Sequence, residues 1–173
     1  MEQKSILSIG NSTLRELSKE ISVEEIKTSE FQNLIDELVR MMRTHDGVGI
    51  AASQIGVMKR IFVMEVANNK RYPDKEKFDL TICINPEIFI ITNEMISGWE
   101  GCLSVPFYKG MVPRYKKISL KYLNREGKGK VKMLEDFPAI IAQHEIDHLN
   151  GILYTDRISD MKTLTYLDKS SQI

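Results

Sequence analysis

Cysteine is scarce in this 173-residue chain, which holds two thiols, Cys83 and Cys102. So few exclude a disulfide-stapled scaffold, and in a reducing compartment they leave each thiol to be core filler, a nucleophile or a metal ligand. Net charge is missing too, because 24 basic side chains cancel 24 acidic ones. A neutral chain offers no electrostatic reason for direct nucleic-acid binding or for an anionic membrane as partner. Apolar runs never approach the ~18 residues of a membrane span, and Met1-Glu2-Gln3-Lys4-Ser5 lacks the apolar core of a signal peptide. The expectation is a soluble, cytoplasmic protein. Repeats and low-complexity segments are absent as well, and the length suits one domain spanning 1–173 with a sizeable core.

Histidine is nearly as scarce, yet two of the three stand in Gln143-His144-Glu145-Ile146-Asp147-His148-Leu149-Asn150-Gly151. At about 100° per residue, helical His144 and His148 lie one turn apart on one face, where two imidazoles can share a divalent ion. Glu145, beside the ligands without being one, is placed to take a proton from water, which is the chemistry of metal-assisted hydrolysis. Asp136 is a candidate cap, Pro138 suits the first turn and Asn150-Gly151 a stop, giving a helix of about 13 residues.

A hydrolytic ion takes a third protein ligand and keeps one position open. The candidates are Cys102, Cys83, Asp156, Asp160 and Asp168. Cys102 stands in Trp99-Glu100-Gly101-Cys102-Leu103-Ser104-Val105-Pro106, where glycine and proline predict a loop. Cys83 lies in the apolar run Thr81-Ile82-Cys83-Ile84, the usual setting of core filler. Two other readings compete: a structural zinc module closed by Cys83, Cys102, His144 and His148, and an endopeptidase with Asp168 as third ligand. The segment Gly47-Val48-Gly49-Ile50-Ala51-Ala52-Ser53-Gln54 is either a tight glycine turn or backbone open to a peptide, with the Gln54 amide as donor. It lacks the Gly-Lys-Ser/Thr ending of a phosphate loop.

Ser29-Glu30-Phe31-Gln32 has the form of a capping box, and Phe31, Leu34, Ile35, Leu38, Val39 and Met42 follow at helical spacing, ending before Gly47. Thr13-Leu14-Arg15-Glu16 predicts a short helix. Arg60 to Val66 and Leu80 to Thr92 read as strands around a loop from Asn68 to Asp79 that contains Pro73. Ile118, Leu120 and Tyr122 alternate with polar residues, and Asn124 to Gly129 turns the chain toward Val131 and Met133. Ile152-Leu153-Tyr154 predicts a short strand and Ile158 to Leu167 a terminal helix. Helices and strands do not alternate as a parallel sheet requires, so the class is α+β, with antiparallel strands around a central metal-binding helix.

Taken together, the segments 47–54, 100–104 and 143–151 resemble the three motifs of the peptide deformylase family, in order and approximate spacing. The resemblance implies removal of the formyl group from N-formylmethionine of nascent polypeptides at the ribosome, releasing formate. It implies that Cys102, His144 and His148 hold the metal, Fe2+ in the cell with Zn2+ or another divalent ion as alternative. Glu145 is then the acid/base, while Gln54 and the Leu103 backbone N–H polarise the formyl oxygen. Ser53 and Asn11-Ser12 depart from the commoner residues, and the tail after Gly151 is shorter than in members with a long terminal helix. Phe137, Ile140 and Ile141 precede His144 by seven, four and three residues, so they either wall a methionine pocket opposite Val48 or are simply core. Backbone at Val48 and Gly49 is expected to bind the peptide as an extended strand. Arg114 anchors the segment after Cys102, reaches the peptide, or is solvated.

Overall fold

The computed structural model describes residues 5–67 and 74–167. Two antiparallel sheets and a central helix make up the α+β architecture. The larger sheet has the order β1-β2-β3-β6-β7, formed by β1 (Gly49–Ala51), β2 (Ile61–Val66), β3 (Phe78–Ile90), β6 (Lys117–Leu123) and β7 (Gly129–Glu135). The smaller, β4-β5-β8, comprises β4 (Met95–Cys102), β5 (Val105–Tyr115) and the two-residue β8 (Thr165–Tyr166). Helices α1 (Val23–Ile26), α2 (Ser29–Thr44) and α3 (Phe137–Leu149) complete the set, with short 3-10 turns at Ser12–Arg15, Ala52–Ile55, Tyr154–Arg157 and Met161–Thr163. Among the described residues no helix is long and apolar enough to cross a membrane.

β2 shows why α3 ends up central. Successive side chains of a strand point to opposite faces. Ile61 and Val63 therefore pack into one core with Phe31, Ile35, Leu38 and Met42 of α2, whereas Phe62 and Met64 pack into another with Ala139, Ile141, Ala142 and Ile146 of α3. A strand buried on both faces reads as a continuous apolar run, which Ile61 to Met64 is, before Glu65 interrupts it. The same division places Ile50 with α2 and Ala51 with α3, so β1 is fixed between the two helices.

Several expectations are corrected. The segment around Cys102 is a hairpin rather than a loop: β4 and β5 pair from Met95↔Tyr115 to Cys102↔Val105, and only Leu103 and Ser104 form the turn. Pro113 is tolerated because Met111 N–H bonds Thr163 Oγ1 outside the β4 ladder (3.1 Å), so the Pro113 nitrogen, two residues on, faces that same outer edge. Strand β3 runs through Pro86 by means of a register shift between Ile84 and Glu87, with Asn85 at φ 47°, the usual device for a proline in a strand. The cap of α2 is Thr28, whose Oγ1 accepts from Phe31 N (3.3 Å); Gln32 closes no box at Ser29 and instead donates to Ile26 O and Arg125 O (2.7 and 3.1 Å).

The predicted strand at Ile152-Leu153-Tyr154 is absent, and Tyr154 begins a 3-10 turn. The predicted terminal helix is replaced by the 3-10 turn Met161–Thr163, capped by Asp160, and by β8. A few scattered apolar residues do not propagate a helix against the gain of pairing with the open edge of β5. Asn68 to Pro73 and Asp168 lie outside the described residues.

Helix α3 has the expected 13 residues. Asp136 precedes it at φ 54° without a side-chain cap bond, so Pro138 and not the carboxylate favours its start. Its end is a Schellman motif: Ile152 N–H bonds Asp147 O (2.9 Å) and Gly151 N–H bonds His148 O (3.2 Å), with Gly151 at φ 71°. A Cβ at Gly151 would also stand 2.7 Å from the Arg15 carbonyl carbon. We predict that Gly151→Ala lowers unfolding stability by about 2–3 kcal/mol, the left-handed penalty plus a backbone clash. Urea melts with an unchanged midpoint would refute this account of the helix stop.

Candidate active site

His144 and His148, one turn apart on α3, have ring centroids 5.0 Å apart at 72°. Cys102, at the end of β4, brings its Sγ to 3.1 Å from His148 Nε2. The ligand atoms of Cys102, His144 and His148 all lie within 4.8 Å of one another, compatible with one ion bonded at about 2.0–2.3 Å to each. His144 Nδ1 lies 2.8 Å from Glu100 Oε2. Donation there makes Nδ1 the protonated nitrogen and leaves Nε2 for an ion.

Burial acts to raise the Cys102 thiol pKa, but His148 and His144 beside it prevail and hold it well below its ordinary value, which favours the thiolate. Ser104 N–H (3.3 Å) and Gln54 Nε2 (3.5 Å) also face it. Cys83 is instead wholly buried against α3 and its pKa is pushed up by that burial, the condition of an inert core thiol. Among the described residues the cluster gathers neither Cys83 nor a carboxylate. Asp156 bonds Arg15 and Leu153 N, and Asp160 bonds Lys162 N.

Glu145 is 4% exposed and lines the same cleft as Cys102 and His144. Burial raises its pKa to about 7, against the opposing pull of His144 and His148. Its Oε2 has no hydrogen-bond partner among the described residues. A buried carboxyl with one oxygen unpartnered and a pKa near neutrality is in the condition a proton shuttle needs.

Arg114 turns out to be a buried anchor. It holds Glu100 with two bonds, from Nε (2.8 Å) and Nη2 (3.0 Å), and Asp147 with a third from Nη1 (2.5 Å). Arg157 adds two bonds to Asp147 (2.8 and 3.2 Å). The chain Arg157–Asp147–Arg114–Glu100–His144 thus ties β5 and the segment after α3 to a metal ligand. Glu100 is held at a pKa of about 2, burial being outweighed by bonds from His144 and Arg114. Bidentate pairing of this kind compensates buried charge and fixes orientation. Gln143 does similar work, its amide accepting from Tyr115 N (3.0 Å) and donating to Tyr115 O (2.8 Å), which docks α3 onto β5.

A cavity of about 330 Å³ opens over the cluster. Gly47, Val48 and Gly49 form one wall, Gly98 to Leu103 the other, and Phe137, Ile140 and Ile141 lead along α3 to His144 and Glu145. Every residue expected at the pocket lines it. β1 and β4, which flank it, are the edge strands of their sheets. Gln54 lies in this lining, and because its Oε1 accepts from Ala51 N–H (2.8 Å), its Nε2 is turned toward Ser104 Oγ (3.1 Å) and the site. Sequence reasoning missed Glu100 and Asp147 as partners of Arg114, and Lys75 and Trp99 as lining. Glu100 carried one signal, its place two residues before Cys102, on the same strand face.

One cysteine sulfur, two imidazoles and, among the described residues, no fourth protein ligand would leave an ion with an open position, the donor set of a metallohydrolase and not of a closed structural zinc module. The chain belongs to the polypeptide deformylase family, whose model matches residues 3–164. It is 42% identical over 161 residues to peptide deformylase 2 of Nostoc sp., covering 92% of this chain and 89% of that protein. It is 43% identical over 156 residues to the peptide deformylase of Fusobacterium nucleatum, covering 90% and 84%. Among solved structures, the Met-Ala-Ser-bound class I type b peptide deformylase of Acinetobacter baumannii superposes with a TM-score of 0.86 at 37% identity, covering 90% of this chain and 98% of that one.

Proposed function

We propose that this chain removes the formyl group from N-formylmethionine at the start of nascent polypeptides, in the cytoplasm at the ribosome. Cys102, His144 and His148 hold the ion, Fe2+ in the cell with Zn2+ as an alternative. The observation that carries this reading is the unpartnered, buried Glu145 Oε2 beside that ligand set. An ion so held supplies Lewis acidity, lowering the pKa of water and polarising a carbonyl oxygen.

Glu145 takes the proton from the attacking water, the oxygen adds to the formyl carbon, and the C–N bond breaks as Glu145 returns the proton to the leaving amine. Formate and a free methionyl N-terminus result. The oxyanion that develops accepts hydrogen bonds from Gln54 Nε2 and the Leu103 backbone N–H; losing one such donor typically costs about 2.7–4 kcal/mol. Glu100, clamped by Arg114, orients His144. The peptide backbone lies extended between the free edges of β1 and β4, paired through Val48 and Gly49, so varied side chains are accepted. Its first side chain descends against Phe137, Ile140 and Ile141, where burial of a methionine is worth roughly 1.5–3 kcal/mol. The pocket's apolar walls suit an unbranched, adaptable side chain.

The test is formate release from a formyl-Met peptide after anaerobic loading with iron or with zinc. Release is expected, and its absence with both metals would remove the assignment. Cys102→Ala is expected to lose the metal and Cys83→Ser to keep it; the reverse pattern would favour a site built on Cys83.

A further inference from the structure

Two lysines stand on aromatic walls of the cleft. Lys75, just before β3, lines it with its Nζ 5.1 Å from the centre of the Phe137 ring. Lys109 on β5 places its Nζ 5.0 Å from the centre of Trp99, a lining residue that is 49% exposed. Among the described residues, the acidic ones in the lining are Glu100 and Glu145. Both are buried at the catalytic end, and Glu100 is neutralised by Arg114 and His144. Asp74 and Glu76 flank Lys75 in sequence and are exposed, but they are not part of the lining. The mouth of an apolar cleft therefore carries positive charge, held over ring faces that restrain the lysine stems.

This inference rests on the peptide orientation given above. With the first side chain against Phe137, Ile140 and Ile141, an extended chain returns its third side chain to the same face about 6.6–6.8 Å further on, while the second points away. Phe137, at the start of α3, is the pocket residue farthest along the helix from His144, and Lys75 covers it. We propose that Lys75 makes the enzyme favour an acidic side chain at the third position of the nascent chain, with Lys109 adding to the same field.

The test compares kcat/KM of the metal-loaded enzyme on the amides of formyl-Met-Ala-Glu, formyl-Met-Ala-Ala, formyl-Met-Ala-Lys and formyl-Met-Glu-Ala. At low salt the third-position glutamate is expected to exceed lysine by about fivefold, the scale of one partly exposed ion pair. The difference should lie mostly in KM and fade at about 1 M salt. Lys75→Met should bring the glutamate-to-lysine ratio close to one, and Lys75→Glu should invert it. Equal use of glutamate and lysine, a ratio untouched in both variants, or an equal gain from glutamate at the second position would overturn the proposal. Failure on all four peptides would instead remove the deformylase reading of the site, and this inference with it.

Discussion

Glu145→Ala is expected to keep its full metal content and lose about 10³-fold or more in kcat for formate release, within the range of a positioned acid/base. Metal retention follows from the geometry, because the ligand set is Cys102, His144 and His148 without Glu145. Loss of turnover follows from the lack of a substitute among the described residues. The other carboxylate in the lining, Glu100, is occupied by His144 and Arg114 and held at a pKa of about 2, too weak a base to shuttle the proton near neutral pH. Stability is expected to hold or rise, since the variant removes a buried carboxyl whose Oε2 has no partner among the described residues. Elemental analysis, single-turnover formate release and a thermal melt check the three parts. Near-normal deformylation by the variant would sink the mechanism, and lost metal would make Glu145 a ligand.

Helix α3 was legible in the sequence because its pattern is local. His144, Glu145 and His148 are related by helical geometry alone, and Asn150-Gly151 marks the stop whatever the rest of the chain does. The doubly buried strand β2 was legible for a similar reason, a run of apolar residues from Ile61 to Met64 and again at Val66, broken by Glu65 alone. The β4-β5 hairpin was not, since Gly98, Gly101, Pro106 and Pro113 are turn residues by propensity. What makes them strand is cross-strand pairing and an outer edge that needs no N–H from Pro113. The partners of Arg114 were out of reach because Glu100 and Asp147 meet it only in three dimensions, as Arg157 meets Asp147. Cys102 was placed beside the histidines on the argument that it lay in a loop; the structure does gather it with His144 and His148, but at a hairpin tip held by strand pairing. The terminal helix failed because Ile158 to Leu167 has too weak a pattern to resist capture of Thr165 and Tyr166 by β5.

Gly49→Ala is expected to lower kcat by about 10²-fold or more while leaving the metal bound, although alanine is a milder change than any at the ligands. Gly49 lies in β1, and its backbone is not among the glycines with positive φ, so alanine meets no conformational penalty there. What it lacks is room: a Cβ would stand 2.9 Å from both Cγ and Cδ of Glu145, and closer still to Oε1. β1 cannot retreat, since Ile50 and Ala51 on either face are wholly buried and Gly49 to Ala51 pair with β2. The Glu145 side chain must therefore turn aside, between two metal ligands on a buried helix. A second route to lost activity is obstruction of the peptide backbone, and the two are separable. Displacement of Glu145 lowers kcat, whereas obstruction raises KM. A double-mutant cycle sharpens the distinction: if Gly49 acts through Glu145, Gly49→Ala in the Glu145→Ala background costs within about threefold of nothing. Multiplicative losses in the cycle, with KM carrying the effect of Gly49→Ala, would show that the glycine serves the peptide and not the carboxylate.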